Sequence, residues 1–404
     1  MNSKYNIIII GGGAAGFFTA INIVEKNPNL KVAILERGKS VLEKVRISGG
    51  GRCNVTHACF VPNDLVKFYP RGERELKGPF NQFCSGDTIE WFEKHGVELK
   101  IEDDGRMFPV SNSSQTIIDC FQEAVKKLKM DVLTNHSVQE LYKTETHWKV
   151  TTTQEVFTCE KIVMASGSNP KIWELLQNLG HSIIEPVPSL FTFNIKDPRI
   201  KDLMGLSAIA SVKVKKSKLE ASGPLLITHW GMSGPGILRL SAWGARELAE
   251  KKYQFAIQVN WLKETTFEEA LDLLKDIKEE NAKKLVSKYA HFELPKRLWE
   301  NLVKAAGISE ETKWADINKK QLNSLIEQLT NGEFHVNGKS TFKEEFVTAG
   351  GIDLKEVNFK TMESKILPNV YFAGEILNID AITGGFNFQN AWTGGFIVAE
   401  NIVK

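Results

Sequence analysis

Near its start the chain carries a run from Tyr5 to Ile10 that is apolar except at Asn6 and ends in four consecutive isoleucines. A β-branched run without polar alternation is the pattern of a strand covered on both faces of a parallel sheet. Six residues, G-G-G-A-A-G at 11–16, lead into a helical stretch from Phe17 to about Lys26, and a second buried strand follows at Lys31 to Leu35. The order predicts a βαβ unit. Ser111 to Ser114 offer N-caps to a helix running through Ile117, Phe121, Val125 and Leu128. Alternating runs at Val138–Tyr142, His147–Thr152 and Val156–Cys159 predict an antiparallel meander, and a buried strand, Lys161 to Ala165, then closes on Ser166-Gly167-Ser168. From Ser189 to about Leu240, short β segments broken by Gly and Pro predict a small barrel or sandwich. Residues 262 to about 331 carry apolar positions at helical spacing, such as Phe267, Ala270, Leu271, Leu274 and Ile277. The end of the chain returns to a short buried strand, Val370 to Ala373, and a helix opening within I-T-G-G-F-N-F-Q-N-A, 382–391.

Chemistry enters at the first turn. Gly11, Gly13 and Gly16 give the spacing G-x-G-x-x-G, placed after a strand and opening a helix, where backbone N–H groups and the helix dipole bind a pyrophosphate. Glu36 stands at the end of the second strand, where a carboxylate accepts from ribose hydroxyls and repels a 2′-phosphate. The ligand implied is FAD or NAD, not NADP. A second helix N-terminus preceded by Gly384 and Gly385 is another anion site, and two such ends facing one ligand select FAD.

The loop between Glu36 and Phe60 holds three consecutive glycines and the cations Arg37, Lys44, Arg46 and Arg52, a composition suited to packing backbone against a flat ring and its phosphates. K-x-x-x-S-G-G-G-R-C-N, 44–54, resembles the loop of the BaiN/YhiN-type, aminoacetone-oxidase-like flavoproteins, with Arg46 in place of an aliphatic residue. D-D-G-R-M-F-P at 103–109, T-H-x-G-x-S-G-P at 228–235 and G-E-x-L-x-x-D-x-x-T-G-G-x-N-x-Q at 374–389 resemble further segments of that family in the same order. Asn378 and Phe386 depart from it, standing where Asp and Tyr are usual.

The resemblance implies an α/β fold with a Rossmann-type, glutathione-reductase-like FAD domain formed by 1–188 and 341–404. An inserted β-barrel-like domain would take 189–261 with 332–340, and a small helical subdomain 262–331. It implies cofactor contacts at Gly11, Gly13, Ala14, Ala15, Gly16, Glu36, Arg37, Lys44, Ser48, Gly49, Gly50, Gly51, Arg52, Cys53 and Asn54. Further contacts are expected from Val138, Ala165, Ser166, Gly167, Gly374, Glu375, Asp380, Gly384, Gly385, Phe386, Asn387, Gln389, Asn390 and Ala391.

No side chain declares itself as catalytic; His229, Cys53 and Arg106 are the candidates. His229 reads equally as a residue fixed by backbone in a tight turn, and Cys53 has no partner cysteine. A second G-x-G-x-x-G is missing, so NAD(P)H would dock without a Rossmann domain of its own.

Composition narrows the partners. Hydrophobic residues at 42% and charged residues at 25% are ordinary globular values. Lys and Arg, 51, against Asp and Glu, 49, leave +2, which gives no field for nucleic acid. No leader or spanning segment is evident, so a cytoplasmic protein without a membrane partner is expected. Five scattered cysteines match no disulfide framework or metal site. The function expected is hydride transfer between FAD and a small organic substrate, as an NAD(P)H-linked reductase of an enone. The alternatives are a small-amine oxidase releasing peroxide, an RNA-modifying flavoprotein of the kind that shares the N-terminal fingerprint, and a protein that only binds FAD.

Overall fold

The computed structural model describes residues 3–340 and 347–404. The chain forms two compact units, Met1–Val187 with Lys343–Lys404, and Pro188–Phe342. The expected return to the first domain at residue 341 lies outside the described residues.

The first unit is built on β1 (Ser3–Ile10), α1 (Ala14–Lys26), β2 (Val32–Leu35) and α2 (Glu43–Gly51). Its sheet continues through β3 (Asp131–Leu133), β4 (Val138–Lys143), β5 (Trp148–Thr152), β6 (Val156–Met164) and β7 (Val370–Phe372). The long helix α3 (Phe386–Ile402) follows. The central order is β7, β6, β1, β2, β3, every neighbouring pair being parallel. Ile7 to Ile10 are at most 4% exposed, as a strand covered on both faces requires. The meander and the buried strand expected as separate elements are partly one: β6 runs unbroken from 156 to 164. It pairs antiparallel with β5 through Val156–Cys159 and parallel with β7 through Ile162–Met164, so its neighbour on that side changes halfway along.

Helices α1 and α3 cross against each other over this sheet. A Cβ at Gly395 would come within 2.6 Å of Thr19 Oγ1, so the crossing needs a residue without a side chain. Lys26 and Glu400 pair at 2.5 Å further along. Trp392, fully buried, packs on Phe18 at 5.2 Å and Phe121 at 5.8 Å between ring centroids. Truncating so large a core ring costs about 3–5 kcal/mol.

The second unit holds an antiparallel sheet of seven strands whose two edges are the adjacent strands Gly332–Asn337 and Lys339–Ser340. Gly338, between them, donates to the Tyr253 carbonyl (2.8 Å) and accepts from the Asn194 N–H (3.1 Å), so the sheet curls until its edges meet, as in a barrel. The helices Phe267–Glu280, Lys296–Ala305 and Lys319–Thr330 share one hydrophobic core with this sheet. Residues 262–331 therefore have no separate core, because their apolar faces are completed by the inner face of the strands.

Candidate functional site

The turn from β1 into α1 uses its glycines in different ways. Gly11 has φ of +120°, and a Cβ there would lie 2.3 Å from the Ala165 carbonyl oxygen at the end of β6. A Cβ on Gly16 would lie 2.0 Å from the Gly11 carbonyl oxygen. Gly13 is the opposite case: it has extended backbone, caps α1 without a side-chain bond, and nothing lies within 4 Å of a Cβ built on it. The protein would admit a side chain at Gly13, so the small residue keeps space for something other than protein. The N–H groups of Ala14, Ala15 and Gly16 open the helix there, an anion site by geometry and dipole.

Glu36 closes the same turn from the end of β2. Its Oε2 accepts from the Gly12 N–H at 2.9 Å and its Oε1 from the Gly38 N–H at 2.7 Å. Each oxygen keeps a second acceptor site, which suits a ribose diol. A cavity opens beside it among Gly11, Glu36, Arg37, Val138, Ser166 and Asn169. Within its wall Ser166 Oγ is buried without a hydrogen-bond partner among the described residues.

The glycine loop expected to carry contacts is the end of α2. Ser48 leaves the helix in extended backbone, and Gly49, Gly50 and Gly51 follow with φ of +57°, +68° and +82°. Three successive left-handed residues are within reach of glycine alone. Lys44, one turn earlier, reaches Glu375 Oε2 at 2.6 Å, and Glu375 stands beside Gly167.

Several residues of the loop serve the protein itself. The Cys53 thiol is fully buried and burial pushes its pKa up to about 12, which leaves it protonated and unreactive at neutral pH. Arg52 lies over the Phe108 ring at 3.9 Å and pairs with Glu102 at 2.6 Å. Arg106 is held by Asp104 (2.7 Å) and Glu102 (3.3 Å) in its own turn. Asn54 donates to the Thr56 and Met107 carbonyls and accepts from the Gly385 N–H at 3.0 Å, tying this loop to the start of α3.

The C-terminal segment brings the second helix end to the first. A Cβ on Gly374 would lie 3.1 Å from Ala15 Cβ and 3.8 Å from Ala391 Cβ, so the opening turns of α1 and α3 meet at one glycine. Gly384 and Gly385 precede α3, which has no side-chain cap. Asn390 Oδ1 is buried there without a partner among the described residues. The remaining motif residues face inward. Gln389 accepts from Thr56 (2.6 Å) and Thr88 (2.9 Å) and donates to Thr393 (3.1 Å). The Asn387 amide clasps both backbone groups of Ala381. The Asp380 carboxylate, fully buried, takes a two-pronged bond from Arg71.

Phe386 stacks on His57 at 4.6 Å and on Phe68 at 4.3 Å. His57 has no distinguishing sequence signal and is absent from the expected set. Its Nε2 lies 3.1 Å from the Asp104 carbonyl, so that nitrogen carries the proton, and its Nδ1 is buried without a partner. Burial lowers its pKa. His229, expected as an acid or base, belongs to the second unit. It is exposed at the tip of a turn in which Thr228 Oγ1 accepts from the Trp230 and Gly231 N–H groups, both at 3.2 Å.

One further constellation has the order of a hydrolytic triad. Glu356 Oε2 lies 2.8 Å from His181 Nδ1, and Ser364 Oγ 2.9 Å from His181 Nε2. Ser364 Oγ also accepts from the Ile366 (3.0 Å) and Leu367 (2.8 Å) N–H groups. With both lone pairs engaged it is a clasp and not a nucleophile.

The arrangement fits FAD: an open glycine turn, a carboxylate with acceptor sites to spare, two uncapped helix ends meeting at Gly374, and buried polar atoms of Ser166 and Asn390 lacking partners. The fold and site define a Rossmann-type FAD-binding α/β flavoprotein. The profile of the HI0933-like protein Rossmann domain matches residues 5–401, and the chain belongs to that family of FAD-dependent oxidoreductases. It is 27% identical to the ribosomal RNA dihydrouridine synthase of Escherichia coli (strain K12), over 99% of this chain and 98% of that one. It is 24% identical to the 3-dehydro-bile acid delta(4,6)-reductase of Clostridium scindens, over 97% of each. Among solved structures, 3-ketosteroid delta1-dehydrogenase from Sterolibacterium denitrificans shares the fold at a TM-score of 0.51, with 10% identity and full coverage of both chains. The expectation against nucleic acid, drawn from net charge, loses its support with the first of these relatives. No helix among the described residues is long and apolar enough to cross a membrane.

Proposed function

We propose that the protein reduces a C=C bond conjugated to a carbonyl, and that its substrate is a uracil ring in ribosomal RNA. What carries this reading is a common chemistry in relatives matched over almost the whole chain. Uracil C5=C6 is conjugated to the C4 carbonyl, and the double bonds of a 3-keto bile acid are conjugated to the C3 carbonyl. In both, across the double bond conjugated directly to the carbonyl, a hydride adds at the β carbon and a proton at the α carbon.

Bound FAD supplies the hydride; a nicotinamide, NADH or NADPH, is the proposed source of its two electrons. The residues of this chain bind and orient. The helix end at Ala14 holds the pyrophosphate, Glu36 accepts from the ribose, and the uncapped end of α3 offers its dipole to negative charge on the ring. The enone reading, with a small ketone as substrate, differs only in what carries the double bond.

The test is anaerobic. The purified yellow protein is reduced with NADH or NADPH while flavin absorbance is followed, then mixed with protein-free ribosomal RNA or with a steroid enone. Reoxidation by RNA, with dihydrouridine in the digest, supports the reading. Reoxidation by the enone alone moves the substrate to small ketones. Bleaching by aminoacetone, with peroxide on aeration, overturns the reductase altogether.

A further inference from the structure

The chain's near-neutral total hides an uneven distribution. Residues 188–342 hold 24 Lys and Arg against 19 Asp and Glu, a net of +5, so the remaining residues carry −3 of the +2 total. Much of the excess is gathered at one place. The strands Ser207–Val214 and Glu220–Ile227 form a hairpin, in register from Ser207 opposite Leu226 to Lys213 opposite Glu220. Its end reads K-V-K-K-S-K, 213–218.

Lys215 pairs with Glu333 at 2.6 Å. Lys213, Lys216 and Lys218 are exposed, and among the described residues no carboxylate pairs with any of them within 4.0 Å, although Glu220 faces Lys213 across the hairpin. Leading away from this end, the outward face carries the Ser211 and Ser222 hydroxyls, bonded at 2.7 Å, and then the exposed Ile209 opposite Pro224. Lys213 ends the paired ladder and Lys216 and Lys218 stand in the turn beyond it, and three such cations within six residues, inside a unit of net positive charge, match a polyanion backbone better than a folded protein's mixed surface.

We propose that this hairpin end is an RNA-docking surface, with Lys213, Lys216 and Lys218 contacting phosphates. The proposal rests on the RNA reading above and adds the surface by which the substrate is held. Phosphate contacts carry no sequence information; they position the strand and set the salt dependence of binding.

The test uses the full-length FAD-loaded protein and protein-free ribosomal RNA in a filter-binding assay at 50 and 200 mM KCl. Three phosphate contacts predict that the wild type loses about 20- to 40-fold more affinity over that range than K213Q/K216Q/K218Q. K213R/K216R/K218R keeps the charge and is expected to bind as the wild type does. K126Q/K127Q/K129Q, which removes three exposed lysines of the first unit, controls for net charge. Bound FAD per chain and reduction by NADH or NADPH serve as readouts of folding and are expected to match the wild type in all three variants. If wild type and the hairpin glutamine variant show the same affinity and salt slope, the docking surface is overturned while the RNA reading stands. An equal loss in the control triple also overturns it, since only net charge would then matter. If the wild type does not retain ribosomal RNA at either salt, the RNA reading falls and the surface with it.

Discussion

The glycine turn yields a sharp prediction because two neighbouring positions should fail differently. At Gly11 an alanine meets three backbone atoms, Ala165 O at 2.3 Å, Ala165 C at 2.6 Å and Ser166 Cα at 2.8 Å, none of which a rotamer change can move aside. It must also adopt φ near +120°. The backbone conformation costs about 1–3 kcal/mol and the overlap about 1–3 kcal/mol. Gly11→Ala should therefore destabilise the protein by about 2–6 kcal/mol, with or without cofactor. At Gly13 the backbone is extended, φ −94° and ψ −168°, and a Cβ meets nothing. Replacing a glycine N-cap by alanine costs about 0.5–1 kcal/mol, and the stiffer unfolded chain returns about 0.4–1 kcal/mol. Gly13→Ala should leave the apo-protein within about 1 kcal/mol of wild type while weakening FAD at least about tenfold, or 1.4 kcal/mol. Urea unfolding of the flavin-stripped proteins and calorimetric FAD titration separate the effects. A Gly13→Ala protein that binds FAD as the wild type does would refute the placement of the pyrophosphate over this residue. A destabilised Gly13→Ala apo-protein would refute the reading of the space as open.

Cys53→Ala should retain flavin reduction by its electron donor, and in the wild type iodoacetamide at neutral pH should leave Cys53 unlabelled in peptide maps of the folded protein, since burial holds its pKa near 12; loss of turnover with FAD still bound would restore it as a catalyst. Arg71→Met removes the two-pronged cationic partner of the buried Asp380 carboxylate and should cost about 3–5 kcal/mol in denaturant unfolding, much of it regained in Arg71→Met/Asp380→Leu; additive losses would mean the pair is not coupled. Burial raises the pKa of Glu356, but its bonds to Ser182 and His181 outweigh that and leave it below 4.5. Its contribution is thus complete above the unfolded-state pKa and disappears as pH falls through the lower folded value, so Glu356→Gln should flatten the acid limb of stability against pH; an unchanged limb would show that other carboxylates set it.

Where the sequence spoke clearly, one physical cause governed the residues. Tyr5 to Ile10 had to be buried on both faces and is so except at the half-buried Asn6, the glycine spacing had to open a helix and does, and Glu36 follows directly on the end of the next strand. The β6 strand was split because Glu160 interrupts its apolar pattern, whereas the break reflects only a change of neighbour. The three helices within 262–331 read as a subdomain because amphipathic spacing does not say what the apolar face covers. Motif membership was the least decisive signal. Gln389, Asn387, Asp380 and Arg52 lie in segments that shape the cofactor loops, and a motif preserves the residues that brace a loop together with those that face a ligand. His57 shows the converse, a residue made distinctive only by Phe386, 329 positions later.

The neighbour switch along β6 also sets an order of assembly. Its C-terminal half stands beside β7, which leaves the ribosome some 360 residues after the glycine turn, a wait of about 20–70 s at ordinary synthesis rates. During that interval the emerging domain presents a bare parallel edge and an incomplete nucleotide cradle. Nascent chains stalled ahead of residue 370 should therefore be protease-sensitive and unresponsive to FAD, the nucleotide cradle being completed only at the last step of folding.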